Sequence, residues 1–487
     1  MDIVVVTPEI APYSSWTGAA DVAASLPKAL RGLGHRVTVI SPLWGSIDPA
    51  QRHLARRLTR IEVDLAGQKE VLPLFDGRTA AGVDLAMLAS ATLFPADASA
   101  IADDAGAASR WAAFCRGTIE LLRRRETKPD VVHLFGWQTA PIALMLAADP
   151  TLSALPTVLT IHDLEAHGSF ERGAMALFGI DDAHFTMEGV EFYGRFSALK
   201  AGIVKAGAIT LRSPAQARAL AISESPIAAV LRARGKAVTG IADGVDVALW
   251  NSATDPHLDT RFDAMESAGA AWGKLRCRSA LAKEAGFAVR ADLPLCVVAA
   301  PSSELGALAE ILPRLVRNDV QLFVAAQSPE SDAAVSKIAS YAARFPDRVA
   351  LRANADQSLV HRAIGGADLV ILPSLDDEAA TRQMHAHRYG ALAVGRRIGL
   401  FADTTVDVDA KLSSGDSFGF DEGTADALYG AITRAIAAYA QTASFRKLQL
   451  RAMRVDHAWE RAARLTERAY RSVVVGEPAP APVALPT

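Results

Sequence analysis

Apolar positions along the chain fall into two alternating patterns: short unbroken β-branched runs, and longer stretches with apolar residues at helical spacing. Asp2–Thr7 (DIVVVT) is a continuous run of the kind buried on both faces of a parallel sheet. After a loop, Val22, Leu26, Ala29 and Leu33 recur at a helical period, Gly32 and Gly34 close the stretch, and His35–Ile40 (HRVTVI) is the next strand. Pro27 lies inside the helical pattern, where it either kinks the backbone or marks the true helix start. Strand, helix and strand up to Ile40 make a βαβ unit.

The alternation continues through Val131–Leu134, Thr157–Ile161 and Ala208–Leu211, and a turn-rich segment follows around Asp243–Pro256. It then resumes with Leu295–Ala299, Val320–Ala325, Val349–Arg352, Leu369–Leu372 and Ala391–Val394. Two successive runs of βα units predict an α/β chain with two Rossmann-like, doubly wound domains facing each other across a cleft, changing over near residue 245. The closing VVVGEPAPAPVALPT, with prolines at 478, 480, 482 and 486, reads as a disordered tail.

Composition narrows the classes. The 487 residues suffice for two or three domains at about 150 residues each. Lys and Arg number 51 against 54 Asp and Glu, a net charge of −3, so there is no nucleic-acid footprint and no acidic tail. Cys115, Cys277 and Cys296 lack metal or redox spacing, which points to a reducing compartment. The start MDIVVVTPEI enters a strand without a basic leader, and no apolar run approaches the ~18 residues of a membrane span. The expectation is a cytoplasmic protein with neither a membrane nor a nucleic acid as partner.

Several segments together carry a family resemblance. EIAPY…TGAADV…LPKAL, DVVHLFGWQTA, TVLTIHDLEAHG, GVEFYG…LKAGIVKA, NSATDPH, GGADLVILPS, HRYGALAV and DHAWERAAR occur in order from residue 1 to about 472. The chain resembles the bacterial glycogen synthase and plant starch synthase family. That resemblance implies the GT-B fold, with an acceptor-side domain over 1–245, a nucleotide-sugar domain over 246–455, a helix over 456–472 crossing back to the first domain, and the tail over 473–487. It also implies glucosyl transfer from ADP-glucose to an α-1,4-glucan with retention of configuration, without metal or other cofactor.

Position by position, the family's chemistry is only partly kept. Its opening Lys-x-Gly-Gly loop, whose lysine and backbone N–H groups meet the diphosphate at a helix N-terminus, falls here on Ser15, Trp16, Thr17 and Gly18, with Asp21 and Val22 in register. The lysine position is thus degenerate at Ser15. In the second domain, the loop that should carry an Arg and a Lys against the departing ADP lies within ADLPLCVVAAPSSELGALAEILP, and Ala291 to Pro313 contain no basic residue. Expelling a dianionic leaving group without a metal requires cations aimed at it, and losing one such group costs about a hundred- to a thousandfold in rate.

The third motif is PSLDDEAATRQ, Pro373 to Gln383. Pro373, Ser374 and Gln383 match the family, while its arginine becomes Leu375, its glutamate Asp377 and its glycine Ala380. Asp377 is one methylene short, and a misplacement near 1 Å costs about a hundredfold; Glu378 is a neighbouring carboxylate. The family's His-Asp-Trp-His is Phe135-Gly136-Trp137-Gln138, its Thr-Gly-Gly-Leu-Ala-Asp-Thr is Ile398–Thr404, and its sugar-contacting histidine is retained as His162, followed by Asp163. The resemblance therefore nominates His162 and Asp377 as catalytic and Gly18, Asp21 and Gln383 as substrate-binding. Arg382, which replaces a threonine, is the candidate substitute phosphate cation, aided by Arg396 and Arg397.

Plainer readings exist for each. A lone histidine is more often scaffold than catalyst, Asp376–Glu378 reads as a solvated acidic loop, strand-end arginines commonly form surface ion pairs of small value, and Trp16 either packs or plugs. Three functions follow: an active ADP-glucose:α-glucan transferase with a rewired site, a transferase using another donor, or a non-catalytic relative that keeps glucan affinity and serves a partner synthase. Every nucleotide-sugar donor carries the same phosphate charge, so the charge argument favours the impaired or non-catalytic relative.

Overall fold

Buried β-branched runs form the centres of two sheets. The computed structural model describes residues 1–97, 101–102, 106–265, 272–375 and 381–476. They divide into a first unit, Met1–Asp243 with the segment from Trp459 onward, and a second, Gly244–Ala458. The acidic positions Asp377 and Glu378, together with Ala380 and the tail from 477, lie outside the described residues.

In the first unit a nine-stranded sheet runs, edge to edge, Val238–Gly240, Ala208–Leu211, Thr157–Ile161, Val131–Phe135, Asp2–Val6, Arg36–Leu43, Asp84–Ala89, Gln68–Arg78 and Ala55–Leu65. The first seven in that order are parallel, with Ile3 opposite Val37 on one side and Val131 on the other. The last two add an antiparallel hairpin that the sequence pattern does not announce. Its turn is Ala66-Gly67, with φ of 54° and 94°, the two left-handed residues that a tight two-residue turn demands. A three-stranded antiparallel sheet of Ser169–Phe170, Arg195–Ser197 and Glu191–Phe192 completes the unit.

The first helix spans Ala19–Gly32, so Pro27 falls well inside it and does not mark its start. Val22, Leu26 and Leu30 form its buried stripe. The C-terminal helix, Trp459–Val474, buries Trp459, Ala462, Ala463, Thr466, Ala469 and Tyr470 at three- and four-residue intervals and packs against the first helix. It runs two residues into the stretch expected as tail. The Tyr470 hydroxyl is hydrogen-bonded with His133 Nδ1 at 2.7 Å, and His133 Nε2 with Thr160 Oγ1 at 2.6 Å, which in turn meets Thr210 Oγ1. Burial pulls His133 down to about 3, so this network across three central strands is held by a neutral ring.

The second unit contains a six-stranded parallel sheet in the order Val349–Arg352, Gln321–Ala326, Leu295–Ala300, Leu369–Ile371, Leu392–Arg396, Ser417–Phe420. In chain order this is 3-2-1-4-5-6, the doubly wound arrangement that reverses direction between its first and fourth strands. A buried ion pair ties the sheet to its flanking helix. Arg278, on helix Gly273–Glu284, donates to Asp368 Oδ2 at 2.7 Å, and the same oxygen accepts the Leu295 N–H at 2.8 Å. Among the described residues no helix is long and apolar enough to cross a membrane.

Candidate functional site

In doubly wound sheets ligands bind beyond the carboxyl ends of the strands, where the strand order reverses. Each unit has one such point.

In the first unit the reversal lies between Asp2–Val6 and Val131–Phe135. The loop after Val6 is tied by Glu9, which is fully buried and accepts the backbone N–H groups of Trp16 at 2.7 Å and Thr17 at 3.1 Å, as well as the Thr17 hydroxyl. Burial pushes the Glu9 carboxyl up, against the hydrogen bonds that hold it down. The Trp16 and Thr17 amides of the loop are thereby occupied. Trp16 packs rather than standing free: its ring meets Trp44 edge-on with centroids 4.7 Å apart, and Trp44 in turn contacts Phe94 and Trp111.

Gly18 caps the first helix at φ −64°, ψ −14°, and a Cβ added there would meet nothing within 4 Å. The fold itself thus gives no reason for glycine at this position. Ser15 and Asp21 are both exposed, Asp21 in the helix's first turn. Arg52 reaches this loop from a distant segment, but its guanidinium donates to the Pro12 carbonyl at 3.2 Å on the exposed side.

His162 follows the end of Thr157–Ile161 and stacks on Phe135, centroids 5.5 Å apart and planes 18° apart. Its Nε2 is buried without a hydrogen-bond partner. Burial, and the nearby Arg212 and His133, pull its pKa down to about 3, so the ring is neutral at pH 7. Arg212 is a cation that motif comparison missed. It directly follows the strand Ala208–Leu211, and its Nε is 3.3 Å from Asp243 Oδ2 in a pair nine-tenths buried on both sides. The only signal for it in the sequence is a basic residue abutting the carboxyl end of an apolar strand.

The second unit reverses between Leu295–Ala300 and Leu369–Ile371. From the loop after the first of these comes Glu304; beyond the other, on helix Thr381–Arg388, comes Arg382. The two form a two-pronged ion pair: Arg382 donates through Nη2 to Oε1 at 3.0 Å and through Nη1 to Oε2. Their side chains are 20% and 5% exposed respectively, so the pair is largely withdrawn from water. The nominated cation is therefore already matched by a carboxylate, and that carboxylate stands in the loop where a cation was sought.

The other two nominated cations are also engaged. Arg396 donates to the Leu375 carbonyl at 2.6 Å and the Asp421 carbonyl at 3.1 Å. Arg397 forms a two-pronged pair with the Asp421 carboxylate, one bond at 2.9 Å, and holds that carboxyl below its usual range. Gln383 is fully buried beside Arg382; its amide donates to Thr404 Oγ1 at 2.6 Å, and its Oε1 has no partner.

Two doubly wound units of this kind, each with polar residues beyond its strand ends, are the architecture of the GT-B fold. Residues 2–233 match the family model for the starch synthase catalytic domain. The chain is 34% identical over 487 residues to a glycogen synthase of Anaeromyxobacter sp. (strain Fw109-5), covering 97% of this chain and 99% of that one. It is 35% identical to the glycogen synthase of Anaeromyxobacter dehalogenans (strain 2CP-C), covering 97% and 100%. Its fold superposes with a TM-score of 0.89, at 24% identity over 98% of this chain and 99% of the other, on the catalytic domain of starch synthase IV from Arabidopsis thaliana, which was solved bound to ADP and acarbose. The chain belongs to the glycogen synthase and starch synthase family.

Proposed function

We propose that this family member is catalytically impaired or non-catalytic: it engages α-glucan in the cytoplasm, and serves a working partner synthase rather than transferring glucose from ADP-glucose itself. The observation that carries this reading is the Glu304–Arg382 pair at the reversal point of the second unit. A leaving diphosphate needs uncommitted positive charge. Here Arg382 and Arg397 are each matched by a carboxylate, and Arg396 spends its hydrogen bonds on backbone carbonyls. Ser15 brings no charge to the first unit, and Arg212 there is paired with Asp243. His162 and Gln383 keep neutral polar atoms, buried and without partners, of the kind that suit hydroxyl groups better than phosphate.

The relatives named as glycogen synthases favour a second reading, an active transferase with a rewired donor site, in which Arg396 is the cation whose bonds are most readily exchanged. Calorimetry separates the two. The impaired reading expects heat on titration with glycogen, and with ADP a dissociation constant weaker than about 1 mM. Micromolar ADP binding that disappears in Arg382→Ala or in Arg396→Ala would establish the rewired enzyme.

A further inference from the structure

Burying a carboxylate is costly unless it is paired and hydrogen-bonded. Glu304 is 6% exposed in a loop that follows a strand of wholly apolar residues, Leu295–Ala300, and its recorded partner is Arg382. The loop around it is fixed on both sides. The Ser302 N–H donates to Ser328 Oγ at 2.9 Å, Ser302–Glu304 form one 3-10 turn, and helix Gly306–Leu315 starts two residues later without a capping side chain. A negative group just before that helix is favoured by its dipole. Arg382 is held as firmly, on a helix whose next residue, Gln383, is anchored to Thr404. Both members of the pair are thus presented in fixed geometry at the place where a doubly wound sheet binds its ligand.

A two-pronged arginine–carboxylate contact has the same geometry as an arginine–phosphate contact. Being intramolecular and prepaid in ordering, it outcompetes a free anion at ordinary concentration. We infer that Glu304 is the specificity-determining residue of this site: it stands in for the ligand phosphate on Arg382 and excludes nucleoside diphosphates. The inference rests on the reading above that the donor site lacks uncommitted positive charge, and it adds a cause, an internal anion, to what was there a deficit of cations. The cation is present and masked.

The test is to remove the charge while keeping the shape. Glu304→Gln is titrated with ADP by calorimetry beside the unaltered protein and the double variant Glu304→Gln/Arg382→Ala. The expected result is ADP binding tighter by about tenfold or more in the single variant, the scale of one charge-assisted contact, weakening with added salt and abolished in the double variant. Glu304→Ala, which removes the carboxylate without offering an amide, should show the same gain and replaces Glu304→Gln if that protein fails to fold. A folded single variant with no gain overturns the inference and leaves the impaired-synthase reading standing. Micromolar ADP binding by the unaltered protein overturns both. A gain that survives loss of Arg382 also overturns the inference, because the anion then sits elsewhere.

Discussion

Asp368→Ala lowers the stability of the second unit by about 3–5 kcal/mol, because it strands a buried charge. Asp368 and Arg278 are each about 5% exposed, and the same carboxylate oxygen also receives the Leu295 N–H at the start of the central strand. Removing it leaves the Arg278 guanidinium with neutral partners, the Arg290 and Leu293 carbonyls and the Tyr439 hydroxyl. For a unit of this size the loss corresponds to a fall in Tm of roughly 6–20 °C, read by calorimetric melting. Asp368→Asn retains an acceptor and should lose less. A Tm within about 2 °C of the unaltered protein, for the alanine variant, would mean that the pair holds nothing.

Trp44→Ala has an effect of similar size on the first unit, about 3–5 kcal/mol, from the cavity left by a large buried ring. Trp44 is fully buried, donates through Nε1 to the Pro8 carbonyl at 2.9 Å, and meets Trp16, Phe94 and Trp111 edge-on. Its loss therefore also releases the ligand-side loop, which Trp16 and Glu9 otherwise pin. Trp16→Ala, by contrast, removes a half-buried ring and about 1 kcal/mol of ring–ring contact. Thermal melts of the two variants should separate clearly; equal losses would contradict the assignment of Trp44 as the anchor and Trp16 as the ring it holds.

Most parallel strands were readable because burial on both faces leaves largely apolar runs, as in Asp2–Val6, Thr157–Ile161 and Leu295–Ala300, whereas the parallel strands Asp84–Ala89, Val238–Gly240 and Ser417–Phe420 were not. The edge hairpin Ala55–Arg78 was not. Its first strand exposes Arg56, Arg57, Leu58 and Arg60 around a register irregularity, and only Ile61, Val63 and Leu65 show the alternation of a half-buried strand. Its turn uses alanine at a left-handed position, which carries none of the usual Asn-Gly or Asp-Gly signal.

The site was legible to the same degree. The motif positions led to Gly18 at the start of the first helix, His162 just after the strand Thr157–Ile161, and Arg382 and Gln383 in the first turn of helix Thr381–Arg388. Their partners were hidden, because pairing is a property of space and not of sequence. Glu304 lies 78 residues from Arg382 and Asp243 lies 31 from Arg212, so a count of cations in the loops could not disclose that those present were already matched. The sequence argument from missing lysines and arginines therefore arrives at a shortage of uncommitted charge for an incomplete reason.

The proposed lack of uncommitted positive charge at the reversal point of the second unit is tested most directly by transfer itself. Purified protein, with glycogen and labelled ADP-glucose, should incorporate no glucose above a protein-free blank, since each 1.36 kcal/mol of lost phosphate stabilisation is about a tenfold loss in rate. Incorporation well above that blank would contradict the account and place the chain among the working synthases.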